Sequence, residues 1–86
     1  MITKVYSIKD KLTNFTGPII FNEEKIAERF FESWCKRKKA EEYTDARYYD
    51  LYEIGTFDTE KGTIVGYPEA QLKLIREGNT YDEQRN

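Results

Sequence analysis

The chain has 86 residues, a net charge of −2, no His and a single Cys. That length allows one domain, an intrachain disulfide is impossible, and no apolar run approaches the ~20 residues a membrane-spanning helix needs. The acidic balance argues against a protein whose whole surface grips nucleic acid. The start, Met1-Ile2-Thr3-Lys4, carries no signal-peptide pattern, so a soluble intracellular protein is expected. A chain of this size buries only about 60% of its unfolded surface, which makes the monomer marginal and oligomerisation an ordinary remedy.

Lys4 to Ile8 reads as a first strand, with Tyr6 and Ile8 on one face and Val5 on the other. Asp10-Lys11-Leu12-Thr13-Asn14 supplies turn residues. Phe15 to Phe21 resumes an extended pattern, interrupted by Gly17-Pro18, so it is expected at a sheet edge or broken at the proline. Phe15, Ile19 and Phe21 share a parity and are expected to face the core. Asn22 is suited to cap a helix from Glu23 to about Lys39, with Glu23 and Glu24 complementing its positive end. Ile26, Phe30 and Trp34 recur every four residues, with Ala27, Phe31 and Cys35 one step round. The first set is expected on the sheet, beside Tyr6 or Leu51, while Lys25, Glu28, Arg29 and Glu32 face water.

Ala40 to Arg47 reads as a polar connection, with room for a short helical turn. The aromatic stretch Tyr48 to Asp58 follows, turning through Asp58-Thr59-Glu60-Lys61-Gly62 into Thr63-Ile64-Val65, a hairpin pattern. Leu72, Leu74 and Ile75 fit neither period cleanly, and a short final strand or extended arm is favoured slightly over a helix for Glu69 to Glu77. The expected fold is therefore α+β, a small antiparallel sheet with one helix packed on a face in ββαββ order. Residues 1–78 form its single domain, and 79–86 are a polar tail expected to fray.

The layout Val5-Tyr6-Ser7-Ile8-Lys9-Asp10, then Gly17-Pro18-Ile19-Ile20-Phe21, a helix with Ala27, Phe30 and Phe31, and above all Leu51-Tyr52-Glu53-Ile54-Gly55-Thr56-Phe57-Asp58 resembles the small nonstructural proteins of gokushovirus-type microviruses. These are phages with circular single-stranded DNA genomes. The likeness covers most of residues 4–68. Where such proteins usually carry an acidic, Pro-containing loop before the main strand, this chain has the more basic Lys38-Lys39-Ala40-Glu41-Glu42. The resemblance implies a DNA-binding accessory protein in the host bacterial cytoplasm, acting in the switch from double-stranded replication to single-strand synthesis or packaging. It brings no catalytic residues.

Two features of the sequence point to a binding surface. Lys36-Arg37-Lys38-Lys39, with Lys25, Arg29 and Arg47, can meet phosphates; the plain alternative is a solvated helix end whose cations favour the dipole. The chain also has seven Tyr and five Phe. Tyr48, Tyr49, Tyr52 and Tyr67 cannot all be interior, because adjacent strand residues face opposite ways. Exposed rings stack on bases of single strands, yet they equally cover dimer interfaces, and the latter is favoured for Tyr49 and Tyr52. Cys35 reads as an inert core residue. Asp50, Glu53, Asp58 and Glu60 show no ligand spacing, so no metal, cofactor or enzymatic activity is expected.

The reading that follows is a homodimeric, non-specific single-stranded DNA binder. Lys36, Arg37, Lys38, Lys39 and Arg47, aided by Lys25 and Arg29, attract the backbone, and Tyr48, Tyr52 or Tyr67 stack on bases. The competing reading is an adaptor that acts on the replication initiator or host replication proteins without touching DNA.

Overall fold

The computed structural model describes residues 1–42 and 45–80, with the side chain of Glu42 left aside. The described residues form five strands, one α-helix and two single turns of 3-10 helix. Strand β1 spans Ile2–Asp10, β2 Ile19–Phe21, helix α1 Glu24–Glu42, β3 Tyr49–Asp58, β4 Thr63–Gly66 and β5 Lys73–Glu77. The sheet is antiparallel throughout, in the order β2-β1-β3-β4, with β5 also on β3. Strands β4 and β5 share one side of β3 end to end: β4 pairs with Gly55–Asp58 and β5 with Asp50–Glu53. This is the α+β fold read from the sequence, with the residues after Tyr67 adding the fifth strand.

The helix face of the sheet carries Tyr6, Ile8, Tyr49 and Leu51, and Ala27, Phe31 and Cys35 lie buried against them. The stripe that meets the sheet is thus the second of the two offered by the sequence. Phe30 and Trp34 flank it half-buried, and Ile26, expected in the core, is 43% exposed. Neighbouring stripes on a helix differ by one residue, about 100° of rotation, and the sheet selects between them. Ring contacts close both flanks. Phe21 bridges Tyr6 and Phe30 at 5.9 and 5.3 Å between centroids, and Trp34 meets Tyr49 edge-on at 4.6 Å. Across the sheet edge, Arg76 of β5 holds Glu28 of the helix, with Nε 3.0 Å from Oε1.

Several local expectations need correction. The carbonyl of Glu23 accepts from Ile26 and Ala27 N–H groups, so Glu23 rather than Asn22 stands at the helix start. The helix also continues past Lys39 to Glu42, because Ala and Glu are strong helix formers and nothing there interrupts it. Phe15 does not share the core face with Ile19 and Phe21. It bridges Lys9, and the Gly17-Pro18 break lets the chain re-enter the sheet with a new orientation. Tyr48 ends the 3-10 turn Ala46–Tyr48 and precedes β3. Gly78, placed at the edge of the expected fray, is buried, with its N–H bonded to the Tyr49 carbonyl at 2.8 Å. An added Cβ there would run into the carbonyl oxygens of Ala46 and Tyr49. From Tyr81 onward the expected tail lies outside the described residues.

Two bulges shape the sheet. Val5 faces Gly55 while Tyr6 faces Glu53, so Ile54 is one extra residue in β3; Ile75 is the corresponding extra residue in β5. At the β3–β4 turn, Asp58 Oδ1 accepts from the Glu60 and Lys61 N–H groups at 2.9 and 3.1 Å. Gly62 closes the turn at φ 69°, a left-handed conformation that costs other residues strain.

Candidate nucleic-acid interface

Four consecutive residues on a helix sweep about 300° around its axis, so the basic run cannot form one flat patch. Lys36 lies on the solvent stripe with Lys25, Arg29 and Glu32, and its Nζ pairs with Glu32 at 2.9 Å. Lys38 turns the other way, onto the ring of Trp34, with Nζ 5.3 Å from the centroid. Arg37 is exposed and Lys39 half-buried. The 3-10 turn after the helix packs beside it and places Arg47 over the ring of Tyr48, 5.5 Å from Cζ to centroid. Asp45 organises that turn. Its carboxylate accepts from the Arg47 N–H at 3.0 Å and pairs with Arg47 Nε at 3.0 Å. The Tyr48 carbonyl accepts from the Lys11 N–H at 2.8 Å, which brings the β1–β2 turn to the same end of the molecule.

The structure therefore gathers Lys36, Arg37, Lys38, Lys39, Arg47 and Tyr48 at the C-terminal end of α1. It leaves out Lys25 and Arg29, which lie up to ~17 Å back along the helix axis. Tyr52 pairs with Ser7 on the sheet face away from the helix and meets Phe15 edge-on at 5.7 Å. Lys9 sits over that Phe15 ring at 5.5 Å, and Lys9, Phe15, Tyr52, Glu69 and Leu72 line an open groove of about 370 Å³. Tyr67 is engaged elsewhere: its hydroxyl donates to Glu53 Oε2 at 2.6 Å. Tyr49, favoured as an interface ring, is buried within the subunit beneath Trp34.

The fold adds Trp34, Lys9, Lys11 and Phe15 to the residues that the sequence itself points to. Trp34 fits the apolar stripe and reads as core, and only its position at the sheet margin leaves it half-exposed. The pairing of Trp34 with Lys38 does have a signal in the sequence, since the two are four residues apart, where helix side chains touch.

Among the described residues two carboxylates are buried, Asp50 and Glu53, each 6% exposed. Glu53 receives the Tyr67 hydroxyl and Lys4 at 3.8 Å, and this hydrogen bond pushes the Tyr67 phenol up to about 12. Asp50 pairs with Lys11 at 3.6 Å, while its Oδ1 has no hydrogen-bond partner among the described residues. Burial, reinforced by Asp50, raises the Cys35 thiol to about 12 and leaves it a poor nucleophile. Among the described residues no group of three or more His, Cys, Asp or Glu side chains could hold a metal ion, and no helix is long and apolar enough to cross a membrane.

The phage ORF5 protein family matches residues 3–80. The chain belongs to that family. No curated protein and no solved structure matches it. This phage ORF5 family member carries all ten candidate binding residues, from Lys25 to Tyr67, inside the matched span. The helix end, the 3-10 turn and the groove face are thus all parts of the family's common region.

Proposed function

We propose that this phage protein is a nonstructural accessory factor of a gokushovirus-type microvirus that binds single-stranded DNA without sequence preference. Its surface is the C-terminal end of α1. The observation that supports this most is the pairing of cations with partly exposed rings there, Lys38 on Trp34 and Arg47 on Tyr48. Single-strand binders combine these two elements, a cation for the backbone and a π-face for the base. The acidic partners Glu32 and Asp45 do not argue against it. Exposed ion pairs are worth only ~0–1 kcal/mol, so a phosphate can replace a carboxylate at modest cost.

The test is a polarisation titration of a short labelled oligonucleotide at two salt concentrations. Log K is expected to fall with log salt by ~0.7 per phosphate contact for a single strand. Replacing Lys36 through Lys39 together by Ala should weaken binding and flatten that slope. Tyr48→Ala should remove ~1–3 kcal/mol of stacking. Trp34 is the sole tryptophan, so its fluorescence reports directly on the helix end. An affinity indifferent to salt, or a tryptophan signal unchanged at saturation, overturns the assignment.

A second reading is favoured by the other sheet face, where Phe15 and Leu74 stand exposed beside Tyr52. An apolar patch of that kind suits a protein partner, such as the replication initiator or a host replication protein, with no contact to DNA. Absence of oligonucleotide affinity together with pull-down of the initiator by wild type but not by a Phe15→Ser variant would favour it.

A further inference from the structure

A sheet edge invites pairing with another chain unless something blocks it. The β2 edge is three residues long and follows Pro18, and β5 carries Lys73, Arg76 and Glu77. Strand β4, four residues long, carries no charge and no proline within it. Its sequence Thr63-Ile64-Val65-Gly66 is uncharged, all four residues are exposed, and Ile64 and Val65 stand 60% and 61% open to solvent. No further strand among the described residues pairs with its outer edge.

The ladder fixes which backbone groups that edge offers. The Tyr67 N–H donates to the Ile54 carbonyl at 2.8 Å, and the Gly62 N–H donates to Asp58 at 2.8 Å at the turn. Antiparallel alternation then directs the groups of Thr63 and Val65 toward β3 and those of Ile64 and Gly66 outward.

We propose that the outer edge of β4 pairs antiparallel with β4 of a second copy about a two-fold axis at Val65. In this register Ile64 of each copy faces Gly66 of the other, and the two pairs exchange four hydrogen bonds. Antiparallel two-fold pairing keeps both helices on one face, so two five-stranded sheets become a single continuous one. Pro68 has no N–H and ends the ladder on each side.

The occupant is a second copy because the flanking charges complement themselves. Lys61 and Glu69, both exposed, stand symmetrically about Val65 in the sequence. Lys61 lies in the turn before β4 and Glu69 opens the 3-10 turn after it, so the two-fold operation brings the Lys61 end of each strand beside the Glu69 end of the other. Strand pairing this short falls below the ~800 Å² per partner of a standard interface, so a weak, micromolar dimer is expected. The inference is independent of nucleic-acid binding, which a monomer can perform at the helix end.

Sedimentation equilibrium of the intact chain across the micromolar range tests it. The wild type should reach a dimer. Val65→Lys sets two ammonium groups across the axis and should weaken association by at least ~10-fold. Gly66→Pro removes an outward N–H without touching the ladder to β3 and should do the same. Lys61→Glu should weaken the dimer, and Lys61→Glu combined with Glu69→Lys should restore it. Circular dichroism checks that each variant remains folded. A wild type that stays monomeric, a dimer that survives both Val65→Lys and Gly66→Pro, or a charge swap that fails to rescue overturns the proposal. Oligonucleotide titration of the same variants keeps the two ideas separate, since loss of the dimer leaves the helix-end cations and rings intact.

Discussion

Glu53 is buried and ionisable, and its neighbours reveal how the fold tolerates it. Tyr67 donates its hydroxyl and Lys4 supplies a distant positive charge. Because the folded phenol titrates near 12 against an ordinary value of 10, its contribution is intact below pH 10 and is lost as pH climbs from 10 through 12. Wild type should therefore lose more stability than Tyr67→Phe over that interval, measured by urea unfolding at several pH values. At pH 7 the same variant should cost ~1–3 kcal/mol, the penalty of a buried acceptor deprived of its donor. Tyr6 is also raised, chiefly by burial and then by Glu53, but it is present in both proteins, and the difference isolates Tyr67. A second contrast concerns the helix. Phe31 is fully buried and its truncation to Ala should cost ~3–5 kcal/mol, whereas Ile26→Ala, at an exposed position, should cost well under half of that. Equal losses at the two positions in denaturant melts would mean that the helix presents the other stripe to the sheet.

At the scale of elements, the hairpin was the most legible part. Alternating aromatics bounded by Asp58 and Gly62 leave few other options, and the turn closes through the side chain of that Asp. The helix was legible as an element and less so in rotation, since two apolar stripes lay side by side in the sequence. Burial of Ala27, Phe31 and Cys35 is a decision of the sheet, and no periodicity within the helix contains it. Phe15 misled for a related reason: parity counting assumes an unbroken strand, and Gly17-Pro18 breaks it. The glycines divide similarly. Gly62→Ala meets only the left-handed backbone strain of ~1–2 kcal/mol, as open space surrounds it. Gly78→Ala collides with two main-chain carbonyls and should lower the melting temperature further, because backbone cannot move aside as a side chain can. The reverse order in thermal melts would contradict the close packing of the β5 terminus on the 3-10 turn.

Across the whole molecule, the candidate site was legible in composition and hidden in arrangement. The cations and rings are plain in the sequence. Their grouping depends on a helix end, a turn and a sheet margin meeting in space, and it admits Trp34 while leaving Tyr52 and Tyr67 elsewhere. The molecule is elongated, with extents of 44 × 23 × 18 Å. Its end-to-end sharing of β3 by β4 and β5 makes a prediction about opening. Amides of β4, which buries no side chain, should exchange with solvent far faster than those of β1 and the first half of β3. Uniform protection along β3 would show instead that the sheet opens as one unit.

The bulge at Ile54 lies where that division falls. It separates a half of β3 clamped by the helix from a half held only by neighbouring strands. A bulge of this kind bends the strand and increases its local twist, so the hairpin tip leaves the plane of the half that carries the Trp34–Tyr49 ring contact. The β4 edge and the helix terminus therefore lie at opposite ends of β3, one on each side of that bend.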